Sequence, residues 1–373
     1  MTNLLSPRRG IAAFACAIVL SCLPAGAHTR QLDVLYRFHN SDAKFPGPGP
    51  LAIDRDGNLY GTTNEGGAYH CGIAFKLAPD GTETVLHTFT RQDCEPIGAI
   101  LGPDGNFYGS DRFSQRLFKL TPDGTYSIIY EFSGGEYEGL PRIFDKKGNM
   151  YGTSRGADEG GDYGTVFKLT PSGQFSHVFV FNSIKLGSRV RALIGDAPGN
   201  IYGTTSNTLA HEERYGGIVF KLTPHGALTV LHTFRNPENE QNPMGLTIDS
   251  AGNLYGTTID GGHGCERSFP PGCGTVFRLT ADGTFTVLHK FGDARGLGEP
   301  LGNPVLDENH NLYGVTSFNY GIYRISADGK MSVLYRLRTN SFIDDLSPGL
   351  LWNKGALYGA AHIGRDEIFK LRP

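Results

Sequence analysis

The chain has 373 residues, a formal charge of −3, 52 glycines and 19% charged residues. A slightly acidic balance with no clustered basic run excludes a nucleic-acid partner held by its phosphates. Abundant glycine without helical apolar periodicity excludes a helical bundle and points to strands joined by turns.

The first residues, MTNLLSPRRGIAAFACAIVLSCLPAGAHT, place Arg8 and Arg9 ahead of an apolar run from Ile11 to Leu20, followed by Ala25-Gly26-Ala27. That order predicts a signal peptide over residues 1–27, cleaved after Ala27. Leu20-Ser21-Cys22 also has the form of a bacterial lipobox, in which Cys22 would carry a lipid anchor. Either route leads to an exported, periplasmic or extracellular protein. The apolar run is shorter than the roughly 20 residues that span a bilayer. No later segment is longer, so no transmembrane segment is expected once the signal is removed.

Directly after the signal stands Leu32-Asp33-Val34-Leu35-Tyr36-Arg37-Phe38, a strand with nothing before it. Then a phrase begins to recur. Gly57-Asn58-Leu59-Tyr60-Gly61 returns with small changes at Gly105, Gly148, Gly199, Gly252, His310 and Gly355, at intervals of 43 to 58 residues. A second phrase trails each copy: FKL at Phe75, Phe118, Phe167, Phe220 and Phe369, FRL at Phe277 and YRI at Tyr323. A turn such as Pro79-Asp80-Gly81-Thr82 follows, then an apolar run such as Val85–Phe89.

Each unit therefore holds four strands, read in the first unit as A at Leu51–Asp54, B at Leu59–Thr63, C at Ile73–Leu77 and D at Thr84–Phe89. Asp and Gly in the A–B and C–D links supply the tight turns of hairpins. Four antiparallel strands in 40 to 50 residues are the signature of a propeller blade. The seventh unit stops at Pro373 without a strand D, and Leu32–Phe38 is a strand D without a blade. The prediction is an all-β, seven-bladed β-propeller whose ring is closed by the N-terminal strand completing the last blade. As one domain over 28–373, it divides into 28–40 (outer strand of blade 7), 46–90, 95–133, 137–182, 190–235, 242–292 and 299–338 (blades 1 to 6), and 346–373 (remainder of blade 7).

Residues that recur in every blade read as structure. Tyr60, Tyr108, Tyr151, Tyr202, Tyr255, Tyr313 and Tyr358 share one place, and so do the bases Lys76, Lys119, Lys168, Lys221, Arg278, Arg324 and Lys370. A ring of bases invites an anion channel, but strand C is third from the axis and the bases are expected toward the rim. Asp54, Asp145, Asp196, Asp249 and Asp307 read as turn caps, since the further acidic oxygens of a calcium loop are missing. His87, His232 and His289 share a place with Tyr130 and Tyr335, which fits aromatic packing rather than a metal.

Function is expected where the repeat breaks down. The A–B and C–D links are short throughout, whereas the B–C and D–A links on the opposite face vary, and such loops over a rigid scaffold carry binding groups. The candidate ligand-binding residues are Tyr69 and His70 in blade 1, His211, Glu212, Glu213 and Arg214 in blade 4, and Glu266, Arg267 and Phe269 in blade 5. Four cysteines remain after the signal, a count that points to disulfides in an oxidising compartment and allows three pairings. Cys71 and Cys94 lie in loops that can meet, and Cys265 and Cys273 bracket the blade 5 loop. No nucleophile elbow, HExxH helix or phosphate loop is present, so no catalytic residue, metal site or cofactor is predicted.

The run GNLYGTT…GTVFKLTPDGT…VLHTF, to whose core Gly164–Thr170 and Gly274–Thr280 are close, resembles the Gloeo/Verruco (GloVer) tandem-repeat family of exported bacterial proteins. The resemblance covers Leu32–Pro373 and implies a secreted or cell-surface repeat protein, with no biochemical activity to carry over. Many of these relatives have a C-terminal anchoring segment, from which this chain departs by ending inside blade 7. The scaffold positions of Gly245–Tyr255 are also similar to NHL-type and streptogramin-lyase propellers. The expected function is a monomeric binding module for a cell-surface glycan or protein. The alternatives are a lyase or hydrolase working at the central opening, and a purely structural surface repeat.

Overall fold

The computed structural model describes residues 32–39, 43–46, 49–111, 115–133, 137–155, 163–206, 216–235, 241–262, 273–292, 297–336, 345–346, 349–362 and 366–373. They form seven antiparallel sheets, each with its strands in the order A-B-C-D. Blade 2, for example, runs Pro96–Leu101, Phe107–Asp111, Arg116–Leu120 and Tyr126–Glu131. No α-helix occurs among the described residues, and a short 3-10 turn at Ile184–Leu186 is the main departure from strand and turn. Neighbouring A strands pack on one another around the ring, which makes them the innermost.

Ring closure follows the sequence expectation. Asp33–Arg37 pairs antiparallel with Asp366–Leu371, Val34 opposite Phe369, and Phe38 is buried beside it. One strand is longer than expected. Strand A of blade 1 is two pieces, Ala43–Pro46 and Ala52–Ile53, both paired with the B strand Leu59–Gly66. The A strands Tyr137–Phe144, Gln241–Ile248 and Gly298–Leu306 likewise start well upstream of their turns and carry register shifts. Extra residues of this kind bend a strand and re-aim its side chains.

The two recurring phrases are coupled by steric fit. A Cβ at Gly61, Gly152, Gly203 or Gly256 would lie 2.7, 2.3, 2.4 or 2.3 Å from the ring of Phe75, Phe167, Phe220 or Phe277. The glycine of strand B thus leaves the space that the aromatic ring of strand C fills, and those rings are fully buried between blades. At the A–B turn, Asp54 accepts hydrogen bonds from the amides of Asp56 and Asn58, from Asn58 Nδ2 and from the Tyr60 hydroxyl. Asp145, Asp249 and Asp307 each take the same four donors in their own blades. Burial alone would raise these carboxyls, but the donated hydrogen bonds win and hold them below their ordinary value. They are turn caps, as their repetition implied.

The bases of strand C are also framework. The ammonium groups of Lys76, Lys168, Lys221 and Lys370 sit over the rings of Tyr60, Tyr151, Tyr202 and Tyr358 at 5.9, 5.9, 5.6 and 5.4 Å, within reach of a cation–π contact. The shared histidine position is a packing position. His87 stacks on Tyr126 and His232 on Phe285 of the next blade, as Tyr130 stacks on Phe175.

Candidate functional site

The variable face is tied down by a device found in three blades. Glu95, Asn242 and Glu299 precede Pro96, Pro243 and Pro300 at the heads of strands A, and each has a φ of 53–55°. A residue before proline is normally driven to an extended conformation, and the left-handed region costs a side-chain-bearing residue roughly 1–3 kcal/mol. The anchor that offsets this is a hydrogen bond from each of these amides to the carbonyl of Cys71, Gly216 or Cys273, at the entry to the preceding blade's strand C. The adjoining glycine is obligatory there: a Cβ on Gly217 would lie 1.9 Å from the Thr205 carbonyl oxygen and 3.1 Å from Pro243.

In blade 1 the same junction carries a disulfide. Cys71 in the B–C loop is bonded to Cys94 in the D–A link, with their Cα atoms 4.6 Å apart. Asp93 accepts from the Thr90 amide and hydroxyl, both at 2.6 Å, and lies 3.3 Å from His87 Nε2. The turn at Gly67–His70 projects from this clamp, with Tyr69 56% exposed and His70 exposed at a φ of 57°. Cys273 is also disulfide-bonded. Cys265 lies outside the described residues, as do His211, Glu212, Glu213, Arg214, Glu266, Arg267 and Phe269. Of the predicted binding residues, therefore, Tyr69 and His70 are described, side by side on one clamped turn.

The heads of the A strands and the ends of the B strands carry polar groups that sequence reading missed. In blades 5 and 6, Asp260 is buried, and burial together with the nearby Glu299 pushes its carboxyl up to about 6 despite a hydrogen bond donated by Asn242. Glu299 accepts from the Ser317 hydroxyl at 2.9 Å. In blade 7, His362 Nδ1 lies 2.9 Å from the buried Asp366. In blade 2, buried Asp111 lies 3.4 Å from Arg116. Across the ring the sign reverses. Arg142 and Arg155 of blade 3 and Arg189 and Arg191 of blade 4 line one cavity of about 140 Å³ together with Thr153 and Ser154.

Two larger clefts lie on the opposite face, between the A–B turns of successive blades. One of about 860 Å³ runs between blades 3 and 4 beside Lys146, Lys147, Lys168 and His225, and one of about 700 Å³ runs between blades 2 and 3 beside Asp104 and Lys119. The face that the sequence marks as plain is thus grooved. Its acidic groups, however, are already engaged: Asp145 holds Asn149 and Tyr151, and Asp104 holds Asn106 and Tyr108. No cluster of three or more His, Cys, Asp or Glu side chains suited to a metal occurs among the described residues. No helix among them is long and apolar enough to cross a membrane.

Comparison with known proteins gives a family and a fold. Residues 23–154 and 138–368 match the Gloeobacter/Verrucomicrobia repeat. Among solved structures, a streptogramin B lyase superposes with a TM-score of 0.66 at 16% identity, covering 91% of this chain and 97% of its own. Virginiamycin B lyase from Staphylococcus aureus gives 0.66 at 14% identity, with 92% and 99% covered. The extracellular domain of a B. thetaiotaomicron protein assigned to hybrid two-component systems gives 0.61 at 16% identity, with 92% of this chain and 41% of that one covered. At these identities the likeness concerns the scaffold. No curated protein matches the chain in sequence.

Proposed function

The chain belongs to the Gloeobacter/Verrucomicrobia repeat family, and on that basis we propose that it is an exported binding module that takes a cell-surface glycan or a protein on its variable face. The observation that carries this reading is the contrast between the two faces. On one, the recurring Asp, Asn and Tyr side chains are consumed by hydrogen bonds within their own turns. On the other, the Cys71–Cys94 clamp holds an exposed tyrosine and histidine clear of the body. A preset loop lowers the entropy lost on binding, and an exposed tyrosine offers a flat face to a sugar ring or peptide. The disulfide fits an oxidising compartment, in keeping with the signal peptide read at residues 1–27.

The test is a thermal-unfolding screen of His28–Pro373 against cell-wall glycans, oligosaccharides and peptides. A ligand at about 100 times its dissociation constant adds roughly 2.7 kcal/mol to the folded state. A hit lost in Tyr69→Ala, with the unliganded midpoint unchanged, supports the reading. A hit indifferent to every loop substitution refutes it.

One observation favours an enzyme as the second reading. A carboxyl raised to about 6 at the end of the B strand Leu254–Asp260, beside Glu299 of an innermost A strand, is suited to exchange a proton at neutral pH. A lyase or hydrolase at the central opening would use Asp260 as its acid or base. Turnover abolished by Asp260→Asn with ligand binding retained would establish that reading over simple binding.

A further inference from the structure

The face that carries the repeated turns is not uniform in charge. In the C–D turns of blades 1, 2, 5 and 6 an aspartate stands before the glycine, as Asp80, Asp123, Asp282 and Asp328, whereas blades 3 and 4 hold Ser172 and His225 there. The aspartate is an accessory to its turn. Asp123 and Asp282 accept from the amides of Thr125 and Thr284, but those amides also donate to the hydroxyls of Thr121 and Thr280. In blades 3 and 4 the Thr170 and Thr223 hydroxyls take the matching amides of Gln174 and Ala227, at 3.0 and 3.1 Å, with no aspartate beside them. Charge at this position can therefore change while the turn stays. The A–B turns mark the same sector. Blade 3 sets Lys146 and Lys147 side by side between its capping aspartate and its glycine, where every other unit has at most one base.

Both lysines are exposed, and neither has an ion pair among the described residues. They line both of the clefts of about 860 and 700 Å³ on this face, and so stand on the ridge between them. The carboxylates that line the clefts are held by their own turns. Asp145 accepts from the amides of Lys147 and Asn149, from Asn149 Nδ2 and from the Tyr151 hydroxyl. Asp196 accepts from Asn200 and Tyr202, and Asp104 from Asn106 and Tyr108, with Lys119 3.8 Å away. Lys168 and His225 add further basic groups to the larger cleft. Apolar walls complete the pair: Phe144 borders both, joined by Pro198 and Pro224 in one and by Met150 and Pro171 in the other. Both turns of blades 2, 3 and 4 on this face belong to the described residues. Concave, largely apolar clefts of several hundred Å³ with a few polar groups are the usual form of a ligand site, and a rim of one charge concentrates the opposite one.

We infer that the two clefts and the lysine ridge between them form one binding surface for an acidic polysaccharide, with a sugar ring in each cleft and carboxylate or sulfate groups on Lys146 and Lys147. A free anion fits poorly, because an exposed ion pair contributes little on its own. A chain that presents an anionic group at each cleft gains instead, since its second contact forms at high effective concentration. A flat anionic surface would reach the lysines and leave the recessed walls empty, whereas sugar rings fill them and pack their C–H faces on Phe144 and the prolines. The surface lies on the opposite face from Tyr69 and goes beyond the binding reading given above, on which it does not depend.

The experiment is calorimetric titration of His28–Pro373 with polygalacturonate, dextran sulfate, uncharged dextran and poly-glutamate at one low ionic strength. It is repeated with the double variant Lys146→Ala/Lys147→Ala and with Ala197→Trp, which keeps every charge and puts bulk at an exposed position of the larger cleft. Binding of polygalacturonate or of dextran sulfate, without binding of dextran, supports the surface; which of the two binds identifies carboxylate or sulfate as the anionic group. Loss of two exposed ion pairs should weaken that binding about tenfold, with the unfolding midpoint unchanged. Ala197→Trp should weaken it as well. Failure of both acidic glycans to bind overturns the inference, as does undiminished binding by the lysine variant. Poly-glutamate bound as tightly as the glycans, with Ala197→Trp without effect, overturns it too, because charge alone would then suffice. An acidic glycan lost in Tyr69→Ala and kept in the lysine variant would overturn this surface and leave the variable-face module standing.

Discussion

Replacing Asp260 with asparagine separates a charge from the shape that holds it. The carboxyl is moved from an ordinary value of 3.8 to about 6, first by burial and then by Glu299. A rise of about two pH units is worth roughly 3 kcal/mol, and partial solvent access reduces that to about 1–3 kcal/mol. The sign follows from linkage: a folded pKa above the unfolded one favours folding while the proton is bound. This contribution is therefore complete below about pH 4 and is lost as pH rises through about 6. Asparagine cannot ionise and keeps an oxygen to accept from Asn242. Wild type and D260N should therefore unfold at the same denaturant concentration near pH 4, and D260N should be the more stable by about 1–3 kcal/mol near pH 7.5. Urea titrations at constant ionic strength across that range measure the difference. Curves that stay parallel at every pH would mean that Asp260 is not desolvated, and would remove the physical basis for assigning it an acid–base role.

Other substitutions probe the framework. Breaking the 23-residue loop closed by Cys71–Cys94 with a double serine substitution should cost about 3 kcal/mol in the chain-entropy account, read as a lower unfolding midpoint than that of the wild type under non-reducing conditions. Gly256→Ala places a methyl 2.3 Å from the Phe277 ring and 2.8 Å from the Gly245 carbonyl oxygen; overpacking should cost about 1–3 kcal/mol, and the double variant with Phe277→Leu should lose less than the sum of the two single losses. Asp249→Ala orphans Asn253 and the Tyr255 hydroxyl and should destabilise by about 1–3 kcal/mol, read as a lower midpoint in urea.

How much of this was legible depended on repetition. The turn caps at Asp54, Asp145 and Asp249 could be read because seven copies superimpose in the sequence, and ring closure could be read because Leu32–Phe38 matches a strand missing from the last unit. Blade 2 shows the limit even there: Gly102 stands where a cap is due, and Asp104, two residues on, does the work by binding Asn106 and Tyr108. The bulges at Arg142 and Arg191 were missed because departures were sought in the loops. By register Pro141, opposite Gly152, stands where Leu193 and Leu246 stand, Arg142 is the added residue, and an extra residue in a strand leaves no mark in a single sequence. Asp260 was missed for a related reason. Its neighbour Glu299 lies in the next blade, and proximity between blades depends on strand heads whose conformation is set by Pro243 and Pro300.

The division between faces has an energetic consequence. Every blade must satisfy the same steric and hydrogen-bonding conditions at its turns, so a change such as Asp249→Ala is felt as stability. The heads of the inner strands are under no such common constraint, because the hook from a left-handed residue to the preceding blade uses backbone groups only. Asn242 and Glu299 hold the same conformation with different side chains, one donating to Asp260 and the other accepting from Ser317. Side chains there can vary while the hook is kept. Variation of this kind reads out in binding, and its cost in stability is confined to groups such as Asp260 that are buried away from water.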